Sequence, residues 1–359
     1  MAVFLVSDQI KIKSHKGEYS VNFIISALSL LNNDPIKDSI YILDEQVAKI
    51  YKTKLNSFFS KSRFLIIKST EKNKSLEKFP QYIDDLLKQK IRKGQVLIAI
   101  GGGVIQDITC FLASTIMRGL PWIFFPTTLL AQSDSCIGSK SSINSGSIKN
   151  ILGTFKPPDK VFIDINFLKT LKKEDMFSGI GEMLKVHAIN SPDSFDKIAS
   201  DYDKIFGNPT LMKKYIINSL LMKKRLIELD EFDQGPRNVM NYGHSFGHAI
   251  ESATDYAIPH GIAISIGMDI ANFVAVELGI SQLDNFNHMH STLRKNSKAF
   301  DHINIDQKLM MNALFKDKKN SFDKLRLVLP DKNRCIGIDY YENNKKFLTI
   351  IHKYFKLFR

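Results

Sequence analysis

Three histidines lie close together in the segment NYGHSFGHAIESATDYAIPHG, residues 241–261. His244 and His248 are four residues apart, so one helical turn would place both side chains on the same face. His260 follows a proline near the end of the segment. Neutral imidazoles together with a carboxylate are the ligand set of catalytic zinc. Spacing alone favours His244 and His248 as the ligand pair, and the alternative is that all three are ordinary surface or core histidines.

A carboxylate with a cation beside it occurs upstream, in GIGEMLKVHAIN. Glu182 and Lys185 are three residues apart and would share one face of a helix. The simplest interpretation is a weak ion pair, worth about 0.2 to 0.5 kcal/mol. The functional alternative makes Glu182 a metal ligand and Lys185 a substrate contact.

The run QVLIAIGGGVIQD predicts a strand, then Gly101, Gly102 and Gly103, and then a helix. Glycines let the backbone approach a ligand closely, and the free N–H groups at a helix start suit a phosphate. We therefore expect a pyrophosphate-bearing dinucleotide here. The full GxGxxG pattern is absent, so a tight structural turn is the alternative. Asp107 would cap this helix or meet a ribose hydroxyl.

Cationic and amide side chains follow in a region rich in serine and glycine. They are Arg118, Lys140, Lys149 and Asn150. Cations held on a loop suit a phosphorylated substrate. The alternative is a solvated loop with ordinary surface lysines.

In the first half of the chain, alternating strands and helices must position the candidate functional residues. Amphipathic helical patterns separate the strand-like runs, which predicts a parallel sheet covered on both faces. After about residue 170 helical patterns dominate, and GIAISIGMDIANFVAVELG is apolar almost all round, as in a buried core helix. The fold class expected is an α/β nucleotide-binding domain with a parallel sheet, residues 1–168, followed by an all-α metal- and substrate-binding domain, residues 169–359. The strand-like runs are SIYILDE (39–45), RFLIIKS (63–69), QVLIAIGGG (95–103), WIFFPTT (122–128) and KVFIDIN (160–166).

Composition sets limits on the partners. A content of 44% hydrophobic and 24% charged residues is that of a soluble globular protein, and no apolar run approaches the roughly 20 residues that span a bilayer, so we expect no membrane partner. The net charge of +13 comes from lysines scattered among acids, so we expect no nucleic-acid partner. Three widely separated cysteines and a start without a signal-peptide pattern favour the cytoplasm.

Taken together, the motifs resemble the 3-dehydroquinate synthase family over nearly the whole chain. The matching blocks occur in the family's order and at its spacing, which is more specific than any single block. They are LDEQV, STEKNKSLE, GGGVIQD, FLASTIMRG, PTTLLAQSDSCIGSK, KNILGTFKPP, GEMLK, RNVMNYGHSFGHAIE, HG followed by IGM, and DKKN.

The resemblance implies a zinc ion, with cobalt as the alternative, held by Glu182, His244 and His260. This ligand set differs from the pair His244 and His248 that spacing favours. His248 would instead be an active-site histidine suited to proton transfer. Arg118 would reach the substrate phosphate across a dimer interface, which implies a homodimer. NAD would lie along Gly101, Gly102 and Gly103, with Asp44, Glu71, Lys74, Asp107, Thr127 and Thr128 around it. The substrate-binding positions are matched by Arg118, Asp134, Lys140, Lys149, Asn150, Lys185, Lys223, Arg237 and Asn241, with one of Lys318 and Lys319.

The activity implied is conversion of 3-deoxy-arabino-heptulosonate 7-phosphate, a small phosphorylated sugar acid, to 3-dehydroquinate and phosphate. It would run through transient oxidation by NAD, β-elimination of phosphate, reduction and intramolecular aldol closure. The alternatives are another sugar-phosphate cyclase, acting on sedoheptulose 7-phosphate or glucose 6-phosphate, and a metal-dependent polyol dehydrogenase.

This chain departs from the family pattern at four positions. Gln106 and Ser139 stand where glycines are usual, and Asp233 stands where glutamate is usual. Ile262 replaces the carboxylate that usually follows the third metal ligand in HGE. A carboxylate near a metal-bound histidine can orient its ring, so this last departure puts metal binding in question.

Overall fold

The computed structural model describes residues 6–33, 35–146, 148–316, 324–342 and 344–359. The chain packs into two compact units. The first contains the chain up to Leu171 together with Lys224–Phe232, and the second contains Lys172–Lys223 and Asp233–Arg359. A single division at residue 168 does not anticipate the packing of Lys224–Phe232 with the first unit.

A seven-stranded sheet forms the centre of the first unit, with the strand order β1-β2-β9-β6-β5-β3-β4. The pair β1–β2 is antiparallel, and the other neighbours run parallel. Strands β7 and β8 form a separate antiparallel hairpin. The bounds are β1 (Val6–Ser14), β2 (Gly17–Ile24), β3 (Ser39–Asp44), β4 (Phe64–Ile67), β5 (Val96–Gly101), β6 (Trp122–Pro126), β7 (Lys140–Ser145), β8 (Ile148–Phe155) and β9 (Lys160–Ile163).

The predicted parallel sheet is confirmed, since β3, β4, β5, β6 and β9 fall within the five strand-like runs of the sequence. Strands β3 and β6 are buried along their whole length, which explains their continuous apolar sequences. Strands β1, β2, β7 and β8 carry many polar side chains and belong to antiparallel pairs, so their sequences give a much weaker strand signal.

Helices of the first unit connect the strands of this sheet. They are α1 (Ala27–Asn33), α2 (Glu45–Tyr51), α3 (Asn56–Lys61), α4 (Phe79–Lys88) and α5 (Gly103–Thr115). The carboxyl ends of the neighbouring strands β3, β5 and β6 lead directly into α2, α5 and the segment after Pro126. Parallel strands place these ends along one edge of the sheet, where ligands of α/β folds bind.

The second unit is mainly helical, as predicted, and it also contains an antiparallel hairpin. Its helices are α6 (Lys173–Asn190), α7 (Pro192–Ser200), α8 (Tyr202–Gly207), α9 (Pro209–Leu229), α10 (His244–Ala253), α11 (His260–Glu277), α12 (Leu283–Ser297), α13 (Gln307–Phe315) and α14 (Lys345–Phe358). The hairpin consists of β10 (Lys324–Pro330) and β11 (Ile336–Glu342). Helix α9 ends in residues of the first unit. Among the described residues, no helix is both long and apolar enough to span a bilayer.

Helix α11 forms the centre of the second unit. Every residue from Gly261 to Ala275 is buried, which confirms the core helix expected from its sequence. Helix α6 is buried from Ser178 to Ala188. Buried helices have little freedom to shift, so side chains that they carry are held in fixed positions.

His187 is a buried histidine on α6 that has no role in the predicted site. Its Nδ1 lies 2.7 Å from Oγ of Ser194, whereas its Nε2 is buried without a hydrogen-bond partner in the described part of the chain. Burial lowers the pKa of His187 from 6.5 to about 4.

This shift predicts an acid-sensitive fold. The unfolded chain binds a proton at His187 below about pH 6.5, but the folded chain binds it only below about pH 4, so stability is lost as the pH falls through this window. We expect a loss of about 2 kcal/mol in the free energy of unfolding between pH 7 and pH 5. His187→Asn should remove this contribution in urea unfolding, and His302→Asn, at an exposed histidine, should not. An unchanged pH slope in His187→Asn would contradict the prediction.

Candidate active site

Three helices of the second unit bring the predicted metal ligands together. Glu182 lies in the middle of α6, while His244 and His260 are the first residues of α10 and α11. Helix α11 packs against both other helices through glycines. A Cβ added at Gly267 would lie 2.1 Å from the carbonyl oxygen of Gly243, so α10 and α11 touch backbone to backbone.

The crossing of α6 and α11 is equally close. A Cβ at Gly181 would lie 1.9 Å from the carbonyl oxygen of Gly261, and a Cβ at Gly261 would lie 1.8 Å from that of Ser178. Both distances are far below any real Cβ contact, so only glycine fits. Glu182 and His260 adjoin these glycines, and the absence of side chains at the crossing therefore sets their separation.

The geometry of this cluster fits a divalent metal ion. Oε1 of Glu182 lies 3.3 Å from Nε2 of His260 and 3.7 Å from Nε2 of His244. Zinc ligand atoms stand about 2.0 to 2.2 Å from the ion, so two ligands of one tetrahedral ion lie roughly 3.3 to 3.6 Å apart. Both carboxylate oxygens of Glu182 are buried, and neither has a well-aligned hydrogen bond among the described residues. A buried carboxylate so placed is suited to a cation.

Electrostatics favour the same conclusion. Burial alone would raise the pKa of Glu182, but Lys185, whose Nζ lies 2.5 Å from Oε2, and His260 outweigh it and hold the pKa well below its usual range. Burial lowers the pKa of His244 well below 6.5, and Lys185 adds to the effect, so this imidazole is neutral. For His260, burial also lowers the pKa, but the carboxylates of Glu182 and Glu251 raise it to about 10. The raised pKa of His260 means that Glu182 and Glu251 stabilise a positive charge at this place, where a metal ion would take the place of the proton.

Glu251 is a residue of this cluster that the sequence reasoning missed. Its Oε2 lies 3.2 Å from Nδ1 of His260. A sequence signal was available, because Glu251 follows His244 and His248 at spacings of seven and three, which place all three side chains on one helix face.

His248 borders the cluster from its exposed side. Its ring nitrogen and those of His244 and His260 all lie within 4.8 Å of one another. The short contacts of Glu182, however, are to His244 and His260. The structure thus brings together both the pair favoured by spacing and the set implied by the resemblance.

The remaining predicted residues of the second unit are basic or amide side chains. Lys185, Lys223 and Arg237 are buried although they are cations, and Asn241 is partly buried at the end of a 3₁₀ segment, Pro236–Asn241. Ammonium and guanidinium groups can bind anionic substrate groups through charge-assisted hydrogen bonds. Lys318 and Lys319 lie outside the described residues.

In the first unit, the predicted cofactor residues lie at the carboxyl ends of adjacent parallel strands. Asp44 ends β3, Gly101 ends β5, and Thr127 and Thr128 follow β6. The side chain of Asp44 accepts a hydrogen bond from the Gln46 N–H at 2.8 Å and so caps α2. This is the edge of the sheet at which dinucleotides bind in doubly wound folds.

The three glycines serve different purposes. A Cβ at Gly101 would meet Ile105 at 2.6 Å, and one at Gly102 would meet Thr128 at 2.9 Å, so packing requires both glycines. A Cβ at Gly103 would meet only Oγ of Ser135, at 4.0 Å. The space beside the first residue of α5 is therefore open, and a phosphate could approach the N–H groups of the first turn.

A buried lysine connects predicted cofactor residues with predicted substrate residues. Nζ of Lys74 lies 3.0 Å from Oδ2 of Asp107 and 3.0 Å from Oδ1 of Asn150, and Glu71 is within 3.7 Å. Burial lowers the pKa of Lys74, but Asp107 and Glu71 raise it above its usual value, so the ammonium stays charged. Lys149 lies 3.7 Å from Glu71. Asp107 therefore does not act as a helix cap, and Asn150 does not belong to a simple solvated loop, because both contact the buried Lys74.

The other predicted residues of the first unit are placed by unusual backbone. Arg118 is exposed in a 3₁₀ turn, Ile116–Arg118, and has φ of 65°, in the left-handed region that is uncommon for side chains with a Cβ. Asp134 lies in a π-helical turn, Ala131–Ser135, of the kind often found at functional sites. Lys140 is exposed at the start of β7.

The departures from the family pattern are accommodated in different ways. Gln106 donates from Nε2 to the Ser135 carbonyl at 2.6 Å and accepts from Oγ of Ser135 at 2.7 Å, which ties α5 to the turn that holds Asp134. Ser139 is buried. Asp233 has φ of 59°, which aspartate tolerates better than most residues. Ile262 is fully buried in α11.

Family models match most of the chain. The 3-dehydroquinate synthase N-terminal model matches residues 64–178, and the C-terminal model matches residues 179–320. A 3-dehydroquinate synthase of Campylobacter concisus is 36% identical over 309 residues, which cover 85% of this chain and 87% of that protein. The chain belongs to the 3-dehydroquinate synthase family. These matches confirm the resemblance to the family that the sequence motifs indicated.

Solved structures show the same fold as this member of the 3-dehydroquinate synthase family. A 2-deoxy-scyllo-inosose synthase complexed with carbaglucose-6-phosphate, NAD+ and Co2+ has a TM-score of 0.83 at 22% identity, covering 97% of this chain and 99% of that one. A 2-epi-5-epi-valiolone synthase from Streptomyces hygroscopicus with NAD+ and Zn2+ bound has a TM-score of 0.82 at 22% identity, covering 94% and 97%. At this identity the likeness shows the fold alone.

Proposed function

We propose that the chain is a 3-dehydroquinate synthase, a carbon–oxygen lyase of the shikimate pathway that cyclises 3-deoxy-arabino-heptulosonate 7-phosphate and releases phosphate. The observation that supports this most directly is the buried Glu182–His244–His260 cluster in a chain of this family. The similar protein from Campylobacter concisus is named 3-dehydroquinate synthase.

Glu182, His244 and His260 would hold the divalent ion, zinc or alternatively cobalt. When bound, this ion supplies a Lewis acid that lowers the pKa of a substrate hydroxyl. The carboxylate of Glu182 would offset the charge of the ion, and the neutral imidazole of His244 would offer its Nε2 lone pair. His248 is exposed beside the cluster, so one of its ring nitrogens can accept a substrate proton and return it later.

NAD would occupy the strand-end edge of the first unit. When bound, NAD would supply a hydride acceptor that is regenerated in each turnover. The open space at Gly103 would let the first-turn N–H groups of α5 donate hydrogen bonds to the phosphates of NAD. Asp44, Thr127 and Thr128 line the same edge with polar side chains that can fix the rest of the dinucleotide.

The substrate has a phosphate and a carboxylate, and the proposal assigns their binding to basic side chains and to Asn150. In the second unit the buried side chains Lys185, Lys223 and Arg237 supply charge. In the first unit Lys140 and Lys149 do so, with Asn150 fixed by Lys74. Charge-assisted hydrogen bonds from such groups restrict a flexible sugar acid to a reactive geometry.

We also propose that the active form is a homodimer, in the cytoplasm, where the three free cysteines would stay reduced. Strand β8 exposes four apolar side chains that are suited to contact with a second copy of the chain, namely Ile148, Ile151, Leu152 and Phe155. Arg118 is exposed in its left-handed turn within the same unit.

Complementation between inactive variants tests the dimer. In a mixture of Arg118→Ala and Glu182→Gln chains, a mixed dimer has one site with both intact residues only if Arg118 acts on the partner's site. We expect activity to return to about a quarter of wild type after refolding an equimolar mixture, since half of the dimers are mixed and each has one working site. A mixture as inactive as its parents would contradict an action of Arg118 across the interface.

Product analysis tests the activity itself. Purified protein with zinc and a catalytic amount of NAD should convert 3-deoxy-arabino-heptulosonate 7-phosphate to 3-dehydroquinate with one phosphate released per turnover, and NADH should not accumulate. Steady NADH accumulation without phosphate release would identify a polyol dehydrogenase instead.

A second candidate, another sugar-phosphate cyclase, is favoured by the fold likeness to 2-deoxy-scyllo-inosose and valiolone synthases. Glucose 6-phosphate and sedoheptulose 7-phosphate should therefore be offered in the same assay. Phosphate release from either one, without turnover of the heptulosonate, would overturn the proposed substrate.

A further inference from the structure

Each imidazole of the cluster presents the same nitrogen to Glu182. Nε2 of both His244 and His260 faces Oε1 of Glu182, and each Nδ1 faces a different oxygen. For His244 that oxygen is the backbone carbonyl of Tyr242, at 3.3 Å. For His260 it is Oε2 of Glu251, at 3.2 Å. An acceptor at Nδ1 keeps the proton on that nitrogen and leaves the Nε2 lone pair for a metal.

The two acceptors differ in charge. A peptide carbonyl orients the ring of His244 but is neutral, whereas a carboxylate both orients the ring of His260 and increases its basicity as a ligand. Glu251 is mostly buried, at 13% side-chain exposure, so water screens its interaction with His260 only partly. It is held by the last turns of α10, the same helix that begins with His244.

Position 262 cannot provide this carboxylate. Residues two apart on a helix lie roughly 200° apart around its axis, so the side chains of His260 and Ile262 leave α11 on nearly opposite sides. Ile262 is fully buried in the core of the unit. The departure at this position therefore leaves the partner of His260 intact, because that partner comes from α10.

We propose that Glu251 is a positioning residue of the metal centre, which fixes the Nδ1–H tautomer of His260 and strengthens its Nε2 as a ligand. This inference rests on the proposed metal centre. This role explains why isoleucine at position 262 does not deprive His260 of a carboxylate partner. Glu251 would act through His260 and would touch neither the ion nor the substrate.

Zinc affinity of the full chain, measured by competition with a chromophoric chelator, tests the assignment. We expect Glu251→Ala to weaken zinc binding 10- to 100-fold and to alter the visible absorption spectrum of the Co2+-loaded protein. Glu251→Gln keeps an oxygen acceptor without the charge, and its affinity should lie between those of wild type and Glu251→Ala. A purely structural role would lower the melting temperature of the metal-free protein and leave affinity and spectrum unchanged.

A matched control is available in the same unit. Asp196 contacts Nε2 of His288 at 2.7 Å, and Asp196→Asn should leave zinc affinity at the wild-type value. Wild-type affinity and spectrum in Glu251→Ala would overturn the inference, and so would wild-type values in Glu251→Gln if the alanine variant does not fold. Failure of the proposed function looks different, because the wild-type chain would then bind no zinc or form no product.

Discussion

Replacing Glu182 by glutamine should leave the chain unable to retain zinc and should abolish turnover. The amide removes the one anionic ligand, so the ion would rest on two neutral imidazoles beside the buried cation Lys185. We expect the zinc affinity to fall on the order of 1000-fold, or about 4 kcal/mol. Metal analysis after gel filtration and phosphate release from the heptulosonate measure the two effects.

Loss of Glu182 also leaves Lys185 as a buried charge without its carboxylate, which could destabilise the fold. The double variant Glu182→Gln, Lys185→Met removes both charges and should recover the melting temperature but not zinc binding. Glu277→Gln, which removes a carboxylate that pairs with Lys353 on the surface, is the control and should bind zinc normally. Full zinc occupancy in the double variant would exclude Glu182 as a ligand.

Adding a single methyl group at Gly261 should have an effect of similar size by a different route. Its Cβ would lie 1.8 Å from the carbonyl oxygen of Ser178, and backbone atoms cannot move aside as a flexible side chain can. Helices α6 and α11 must therefore separate, which costs at least about 3 kcal/mol. Gly261→Ala should lower the melting temperature by roughly 10 °C and weaken zinc binding, because Glu182 and His260 move apart with the helices.

Gly207→Ala is the matched control, since a Cβ at the end of α8 meets nothing within 4 Å. It should melt within a few degrees of wild type and keep its zinc. Both variants can be compared by calorimetry and metal analysis on the same day and at the same protein concentration. A Gly261→Ala chain with wild-type melting temperature and zinc content would show that this crossing does not hold the site together.

Much of the fold could be predicted from the sequence because buried parallel strands and core helices have continuous apolar runs. Strands β3, β5 and β6 and helix α11 are of this kind. The antiparallel strands β1 and β2 escaped prediction because polar residues interrupt their apolar residues, so neither strand has a continuous apolar run.

The candidate site was predictable only in part. Spacing could identify His244 and His248 as neighbours on one helix turn, but it could not show that His260, on another helix, lies nearer to Glu182. The resemblance to the family supplied that grouping, and the ligand roles stay predictions. Contacts such as Lys74 with Asp107 and Asn150 depend on how α5 packs against the β7–β8 hairpin, which no local pattern encodes.

The backbone contact between α6 and α11 has a consequence for how such a chain can diverge. Where helices meet through main-chain atoms, their spacing is independent of which apolar side chains fill the surrounding core. Mutations in that core can accumulate, at some expense in stability, without moving the reactive groups. A chain that shares about a third of its residues with a relative can therefore keep Glu182 and His260 at the same separation, as long as Gly181 and Gly261 are retained.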